Sequence, residues 1–122
     1  MNELSVDARQ LGEITVLYPR GYVNAHTTRI LEGALRNAID AGRYRIVVSG
    51  AGLAYIASAG LGALLGVIEE LRGNGGDLRL ADLNATVVNI FEMLGFHHLY
   101  RIYPSELEAI ASFADEPTEA SK

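Results

Sequence analysis

Strand-like and helix-like residue patterns alternate along this chain, and the alternation constrains its fold more than any other feature. Two strand-like runs, 3–8 and 13–18, flank Gly12 and predict an opening β-hairpin. The elements predicted after the hairpin are helix 27–41, strand 44–48, helix 58–72, strand 78–81, a helix ending at 94, strand 100–103 and helix 105–114. Strand–helix–strand units need crossover connections, which produce parallel pairing. The sequence therefore predicts a single α/β domain, with a mixed sheet of about five strands covered by about four helices.

Several predicted helices begin beside residues suited to capping. Thr27 or Thr28 is expected to cap the first helix through its hydroxyl, and Asp82 or Asn84 is expected to cap the third. Ser105 is followed by a glutamate at capping-box spacing, which predicts a reciprocal cap on the last helix. In each case a side-chain oxygen would accept a hydrogen bond from an otherwise unbonded backbone N–H.

Charge and composition exclude several classes of protein. The formal net charge is −5 and the basic residues form no cluster, so the long-range attraction used by nucleic-acid and anionic-membrane binders is missing. The chain has no cysteine, which excludes disulfides, thiolate zinc sites and cysteine nucleophiles. The first residues lack the features of an export signal, and a cytoplasmic location is expected. We expect one domain over residues 1–114 and a flexible acidic tail over residues 115–122.

The segment Gly50–Ile68 carries no charge and approaches the length of a membrane span. It also contains Gly62-x-x-x-Gly66, a spacing found where membrane helices pair. Its five glycines would weaken one continuous helix. The segment is therefore predicted to divide into a loop over residues 50–57 and a core helix that starts at Ser58, without a membrane span.

Candidates for metal and phosphate chemistry are few. The three histidines, His26, His97 and His98, lack partners at metal-ligand spacing, so neither a metal site nor a cofactor is expected. The glycine-rich run 73–76 follows a helix and precedes a strand, so it predicts a turn rather than a phosphate-binding loop.

The segment Tyr55–Gly62 places Ser58 at a helix start among small residues, and three roles are open to this serine. It could cap its own helix, with a contribution of roughly 1 kcal/mol. It could be a nucleophile on a strand-to-helix elbow, although that motif needs glycine where this chain has Ile56. It could also be an exposed hydroxyl that another protein phosphorylates. The residues alone favour the cap.

The same segment, followed by Ala-Leu-Leu, resembles the signature of STAS domains, specifically the bacterial anti-anti-sigma factors, also called anti-sigma factor antagonists. The segment Gly21–Thr27 is similar to the family's first loop and helix cap. The run 75–78 is similar to its turn into the fourth strand, and 88–103 to its closing helix and last strand. The likeness covers nearly the whole chain.

The resemblance implies that Ser58 is a phosphorylation site and that the chain is not an enzyme. It implies binding to an anti-sigma factor that is a GHKL-type serine kinase, with a PP2C-type phosphatase reversing the modification. The implied partner-binding residues are Asn24, Ala25, His26, Thr27, Ala57, Ala59, Gly60, Leu61 and Gly62. Ala57 and Asn24 stand where the family has aspartates. A constitutive STAS scaffold is therefore the alternative, and a small serine hydrolase is a distant third.

Overall fold

The computed structural model describes residues 3–114, which form one six-stranded sheet and four α-helices. The strands are β1 (Leu4–Leu11), β2 (Ile14–Val23), β3 (Arg45–Ser49), β4 (Leu53–Ile56), β5 (Asp77–Ala81) and β6 (Arg101–Tyr103). The helices are α1 (Thr28–Asp40), α2 (Ser58–Gly73), α3 (Ala85–Met93) and α4 (Glu106–Ala114), with a 3₁₀ turn at Phe96–His98. The tail predicted at 115–122 lies outside the described residues.

The sheet has the mixed topology that the sequence predicts. Its main order is β1-β2-β3-β5-β6, and β4 lies beside the second half of β2. The β1–β2 hairpin is antiparallel, whereas β3 and β4 run parallel to β2, and β5 and β6 continue that direction. Pro19 fits within β2 because it lies between the part of the strand that pairs with β3 and the part that pairs with β4.

Helices cover both faces of the sheet. The larger core lies beneath α1, α2 and α3 and includes Leu17, Leu35, Leu64 and Phe91. The smaller core lies beneath α4. Its members are Val16, Val47, Ala81, Ala109 and Phe113. Apolar burial on both faces explains why β3 and β5 are buried along almost their whole length.

A buried arginine joins α4 to strand β5. Arg79 on β5 is 1% exposed, its guanidinium carbon lies 3.9 Å from the centroid of the Phe113 ring, and its Nη1 donates to Ser112 Oγ at 2.7 Å. Its Nε donates to Asp77 Oδ2 at 3.1 Å, and Arg72 at the end of α2 donates to the other Asp77 oxygen at 2.9 Å. One carboxylate therefore balances the buried charge and connects helices on opposite faces.

One predicted segment is wrong. Residues 50–57, predicted as a loop, contain β4, so the sheet has six strands rather than about five. The burial of β4 does not alternate: Leu53 and Ile56 are buried while Ala54 and Tyr55 are exposed, because the pairing with β2 shifts register beside Gly21. This irregularity removes the period-two pattern by which a strand is recognised in a sequence.

The uncharged segment Gly50–Ile68 is divided between β4 and the first part of α2. Among the described residues, no helix has both the length and the apolar character needed to cross a membrane.

Candidate partner-binding site

Two helices begin side by side at one edge of the sheet. Val23 at the end of β2 pairs with Ile56 at the end of β4, so the chain enters α1 and α2 from neighbouring positions. The amide of Ala57 donates to Val23 O at 2.8 Å, and Thr28 Oγ1 donates to Ala59 O at 3.3 Å. These bonds place the loop 24–27 next to the first turn of α2.

Hydrogen bonds within the loop fix the start of α1. Asn24 Oδ1 accepts from the amides of His26 and Thr27, at 2.9 and 3.0 Å. Thr27 Oγ1 donates to Tyr22 O at 2.7 Å and accepts from the Asn24 amide at 2.9 Å. The predicted hydroxyl cap from Thr27 or Thr28 is therefore wrong, because these two hydroxyls bond elsewhere and the Asn24 side chain takes the amides that precede the helix.

Ser58 is exposed, and its hydroxyl forms no hydrogen bond within residues 3–114. The residue that precedes the helix is Ala57, in an extended conformation, so Ser58 is the first helical residue and not the cap. Ala57 has no side-chain acceptor, and its carbonyl takes the amides of Gly60 and Leu61. The amides of Ser58 and Ala59 therefore have no hydrogen-bond partner within the helix. The positive end of the α2 dipole lies next to the Ser58 hydroxyl.

Gly60 allows α2 to start directly against the sheet. A Cβ atom at this position would lie 2.4 Å from Val23 Cγ1 and 2.7 Å from Ile56 Cγ1, closer than carbon atoms pack. Gly62, two residues further along α2 and so on the opposite side of the helix, has open space around its Cβ position and is exposed. Gly60 therefore determines how closely the first turn of α2, which carries Ser58, packs against the sheet. Packing within the chain does not require glycine at position 62.

The structure divides the predicted partner-binding residues by exposure. The exposed ones are Ala25, His26, Ala59 and Gly62, and the half-buried ones are Asn24 and Ala57. Three others, Thr27, Gly60 and Leu61, are buried, so they shape the site from inside and are not available to a partner. Partner contact by the exposed residues remains a prediction.

Two tyrosines adjoin the site and were not predicted as part of it. Tyr22 and Tyr55 are 41% and 42% exposed and pair in register across β2 and β4, one residue before Val23 and Ile56. Each tyrosine lies in a stretch of sequence that includes buried residues, so the neighbouring residues do not predict that its side chain is exposed. Because successive strand residues face opposite sides of the sheet, the pair forms an exposed aromatic patch on the face away from Val23, Ile56 and α2. Aromatic area of this kind is common in protein interfaces.

A nucleophilic serine needs a general base in contact with its hydroxyl. No histidine or carboxylate bonds to Ser58 within the described residues, so no general base contacts its hydroxyl. The rings of His97 and His98 contact each other in the 3₁₀ turn, with centroids 3.9 Å apart and planes tilted by 40°. Among residues 3–114, no cluster of three or more His, Asp or Glu side chains could hold a metal ion.

Known proteins resemble the chain over nearly its whole length. A family model for the STAS domain matches residues 5–109. The chain is 36% identical over 94 residues to "Putative anti-sigma factor antagonist BtrV" of Bordetella bronchiseptica, which covers 77% of this chain and 81% of that protein.

Solved structures agree with the fold. An anti-sigma factor antagonist from Mycobacterium paratuberculosis superposes with a TM-score of 0.86 at 17% identity, covering 93% of this chain and 97% of that chain. The antagonist SpoIIAA in its unphosphorylated form superposes with a TM-score of 0.78 at 22% identity, covering 93% and 100%. The phosphorylated form of Bacillus SpoIIAA gives 0.69 at 22% identity, covering 89% and 99%.

Fold and site together define a small α/β domain that presents an uncapped helix start at one edge of its sheet. The chain belongs to the STAS domain family. The family resemblance and the mixed α/β fold read from the sequence are thereby confirmed.

Proposed function

We propose that this chain is a cytoplasmic anti-sigma factor antagonist. It binds an anti-sigma factor, itself a GHKL-type serine kinase, while Ser58 carries a free hydroxyl, and it releases that partner once Ser58 is phosphorylated. A PP2C-type phosphatase restores the binding form. The chain performs no chemistry of its own in this scheme. The name of the Bordetella relative and the existence of SpoIIAA in phosphorylated and unphosphorylated forms support the proposal.

The observation that carries the proposal is the state of the Ser58 hydroxyl. It is exposed and has no hydrogen-bond partner within residues 3–114, although it lies at a helix start, where serine commonly caps. Phosphorylation therefore breaks no bond within the domain. The neighbouring amides of Ser58 and Ala59 are also unbonded within the helix, so an anion at this position meets donors rather than acceptors.

Electrostatics explains how the modification would act as a switch. A phosphate adds about −1.5 to −2 charges. At the positive end of α2 that charge is tolerated, so the fold should be preserved. In the complex the same charge would be desolvated against a surface that accepts a neutral hydroxyl, and each loss of about 1.4 kcal/mol weakens binding tenfold.

Asn24 and Ala57, which replace the family's aspartates, are compatible with this switch. Asn24 still accepts from two loop amides through Oδ1, so the geometry of the loop does not depend on a carboxylate. Ala57 lies next to Ser58 and carries no charge. Because two negative charges are missing near the phosphate, the phosphorylated form should meet less repulsion within its own domain.

The proposal is tested by incubating the chain with the anti-sigma kinase of its own cell and ATP, followed by intact mass measurement. Wild type should gain one phosphate and Ser58→Ala none. Ser105→Ala is a matched control, because Ser105 also stands at a helix start but its hydroxyl bonds to Glu108. This variant should still gain one phosphate.

Two results would contradict the switch. If wild type stays unmodified by every kinase tested yet binds an anti-sigma factor, the chain is a constitutive STAS scaffold. If Ser58→Ala still gains phosphate, the modified residue lies elsewhere. Turnover of a test ester that is lost in Ser58→Ala would instead indicate a hydrolase.

A further inference from the structure

Strand β1 forms one edge of the sheet over the described residues. It spans Leu4–Leu11, pairs with β2 on one side only, and is exposed over Asp7–Gln10. A strand of this length at an edge offers a row of unpaired backbone donors and acceptors to another strand.

The pairing with β2 determines which backbone groups face outward. Tyr22 N donates to Glu3 O at 3.0 Å, so the odd-numbered residues of β1 bond to β2. Val6 lies opposite Pro19, which has no N–H to donate, and this agrees with the same alternation. The N–H and C=O groups of Val6, Ala8 and Gln10 therefore point away from the sheet.

The charges on β1 discriminate between the ways in which two copies of this edge could pair. Antiparallel pairing centred on Asp7 would set that carboxylate opposite Asp7 of the second copy, and pairing centred on Arg9 would set two guanidinium groups together. Like charges directly opposite one another are destabilising. Pairing centred on Ala8 instead sets Asp7 of each copy opposite Arg9 of the other, so two opposite-charge pairs form.

The Ala8-centred register also satisfies the backbone. Ala8 exchanges two hydrogen bonds with Ala8 of the second copy, and Val6 and Gln10 form bonded pairs on either side of it. Asp7 and Arg9 then occupy non-hydrogen-bonded positions, where opposite residues approach most closely, at about 4.5 Å between Cα atoms. Pairing centred on Val6 sets Asp7 opposite Ser5 and Arg9 opposite Glu3, which precedes the strand, and pairing centred on Gln10 sets Arg9 opposite Leu11 and Asp7 opposite Glu13, a like charge in the turn. The Ala8-centred register is the one that pairs Asp7 with Arg9.

We infer that β1 is a dimerisation edge and that its partner is a second copy of this chain, paired antiparallel about a two-fold axis at Ala8. Charges on an edge strand usually prevent such pairing. Here the order Asp-Ala-Arg makes the strand complementary to itself, which is the requirement for a two-fold interface. The proposal does not depend on phosphorylation, because β4, which leads to Ser58, lies on the opposite side of β2 from β1.

The surroundings of β1 leave room for the same partner. A groove of about 370 Å³ lies between β1 and α1, lined by apolar residues such as Val6 and Ala34 and by polar ones such as Arg9, Asn37 and Arg43. Ile30, one turn before Ala34 on α1, is 41% exposed. A second copy that continues the sheet at β1 would cover apolar surface that α1 alone leaves open.

Both charged residues already have a contact within the domain, and that of Arg9 is with the Tyr18 hydroxyl. Asp7 already bonds to Arg20 at 2.9 Å, with both side chains 66% exposed. A carboxylate has room for a second donor, so Arg9 of another copy can join this pair. Arg20→Gln therefore tests whether the existing ion pair matters, and we expect it to leave dimerisation unchanged.

Sedimentation velocity of the full chain up to about 1 mM tests the proposal. Wild type should dimerise with increasing concentration. Asp7→Arg and Arg9→Asp should each weaken dimerisation at least tenfold, and the double variant D7R/R9D, which reverses both charges, should restore it. Ala8→Pro should abolish it, because its lost N–H points outward and the β1–β2 ladder stays intact. Circular dichroism should show each variant folded.

A wild-type chain that remains monomeric to about 1 mM would overturn the inference. So would a dimer that tolerates both Asp7→Arg and Ala8→Pro, since it would use another surface. Failure of the double variant to recover dimerisation would show that charge complementarity does not set the register. Ser58→Asp should dimerise like wild type, so this test is independent of the phosphorylation assay.

Discussion

The starts of α2 and α4 both follow a strand and both carry a serine, yet they use it in opposite ways. At α4, Ser105 Oγ accepts from the Glu108 amide at 3.2 Å and donates to its carboxylate at 3.0 Å. The Glu106 amide also donates to Asp82 Oδ2 at 3.0 Å. At α2, no side chain caps the helix, and the Ser58 hydroxyl has no partner among residues 3–114.

The difference separates a structural serine from one that is presented to a partner. A side-chain cap contributes about 1 kcal/mol, and α2 begins without one. What stabilises this start instead is close packing, because Gly60 rests against Val23 and Ile56. The first turn of α2 can therefore change its partner or its charge without a change in the fold.

The largest expected effect comes from removing that close packing. Gly60→Ala places a Cβ atom 2.4 Å from Val23 Cγ1, and we expect it to lower the free energy of unfolding by about 2 kcal/mol. Gly62→Ala is the matched control: its Cβ position is open, so it should raise the free energy of unfolding by about 0.5–1 kcal/mol. Urea denaturation measures both. Equal effects at the two positions would show that the start of α2 is not held by packing.

A second effect concerns charge on the presented serine. Ser58→Asp places a carboxylate at the positive end of α2, so its melting temperature should stay within about 2 °C of wild type. Its affinity for the anti-sigma partner should fall tenfold or more, a loss of at least about 1.4 kcal/mol. Calorimetric titration measures the affinity. An unfolded variant, or one that binds like wild type, would contradict the proposed switch.

Exchanging each serine for alanine compares the two helix starts directly. Ser105→Ala removes the acceptor of the Glu108 amide and should lower the free energy of unfolding by about 1 kcal/mol. Ser58→Ala removes no hydrogen bond within the described residues and should change it by less than about 0.5 kcal/mol. Thermal unfolding of the two variants side by side measures the difference. A comparable loss in both would mean that Ser58 also supports the fold.

The smallest effect concerns the neighbouring start of α1. Asn24→Asp keeps an acceptor for the amides of His26 and Thr27 and adds a negative charge before the helix, so it should stabilise the domain by about 0.3–1 kcal/mol. Asn24→Ala removes the acceptor and should destabilise it by about 1 kcal/mol. Urea denaturation of the pair distinguishes them. Destabilisation by Asn24→Asp would show that the loop requires the amide group.

Helix starts were predictable from the sequence where the cap is local. The spacing of Ser105 to a glutamate predicts a reciprocal cap, and the Ser105 hydroxyl does accept from the Glu108 amide. The second half differs, because the Glu108 carboxylate accepts from the Ser105 hydroxyl and not from its backbone N–H. Asn84 caps α3 by accepting from the Val87 amide, as one of two predicted candidates. The other candidate, Asp82, adopts a left-handed conformation with φ of 57° and bonds to the Glu106 amide, 24 residues away. The spacing of neighbouring residues in the sequence cannot predict a contact between residues so far apart.

The same limit explains what sequence reasoning missed at the site. The strand β4 has two exposed residues in its middle because its pairing with β2 is irregular. Tyr22 and Tyr55 lie together only because β2 and β4 are neighbours, although 33 positions separate them in the sequence. The burial of Leu61, in contrast, follows from the helical spacing of the apolar residues of α2 and is open to prediction. Ser58 lies three residues earlier on the same side of the helix, so its exposure at the helix start does not follow from that periodicity.

The most direct test of the central claim compares the unmodified chain with the same chain phosphorylated at Ser58. Affinity for the anti-sigma factor and melting temperature are measured for both forms. We expect binding at least tenfold weaker after phosphorylation and a melting temperature within about 2 °C of that of the unmodified chain. Equal affinity, or a phosphorylated domain that unfolds, would contradict the claim that the Ser58 hydroxyl is presented to a partner and is free of any role in the fold.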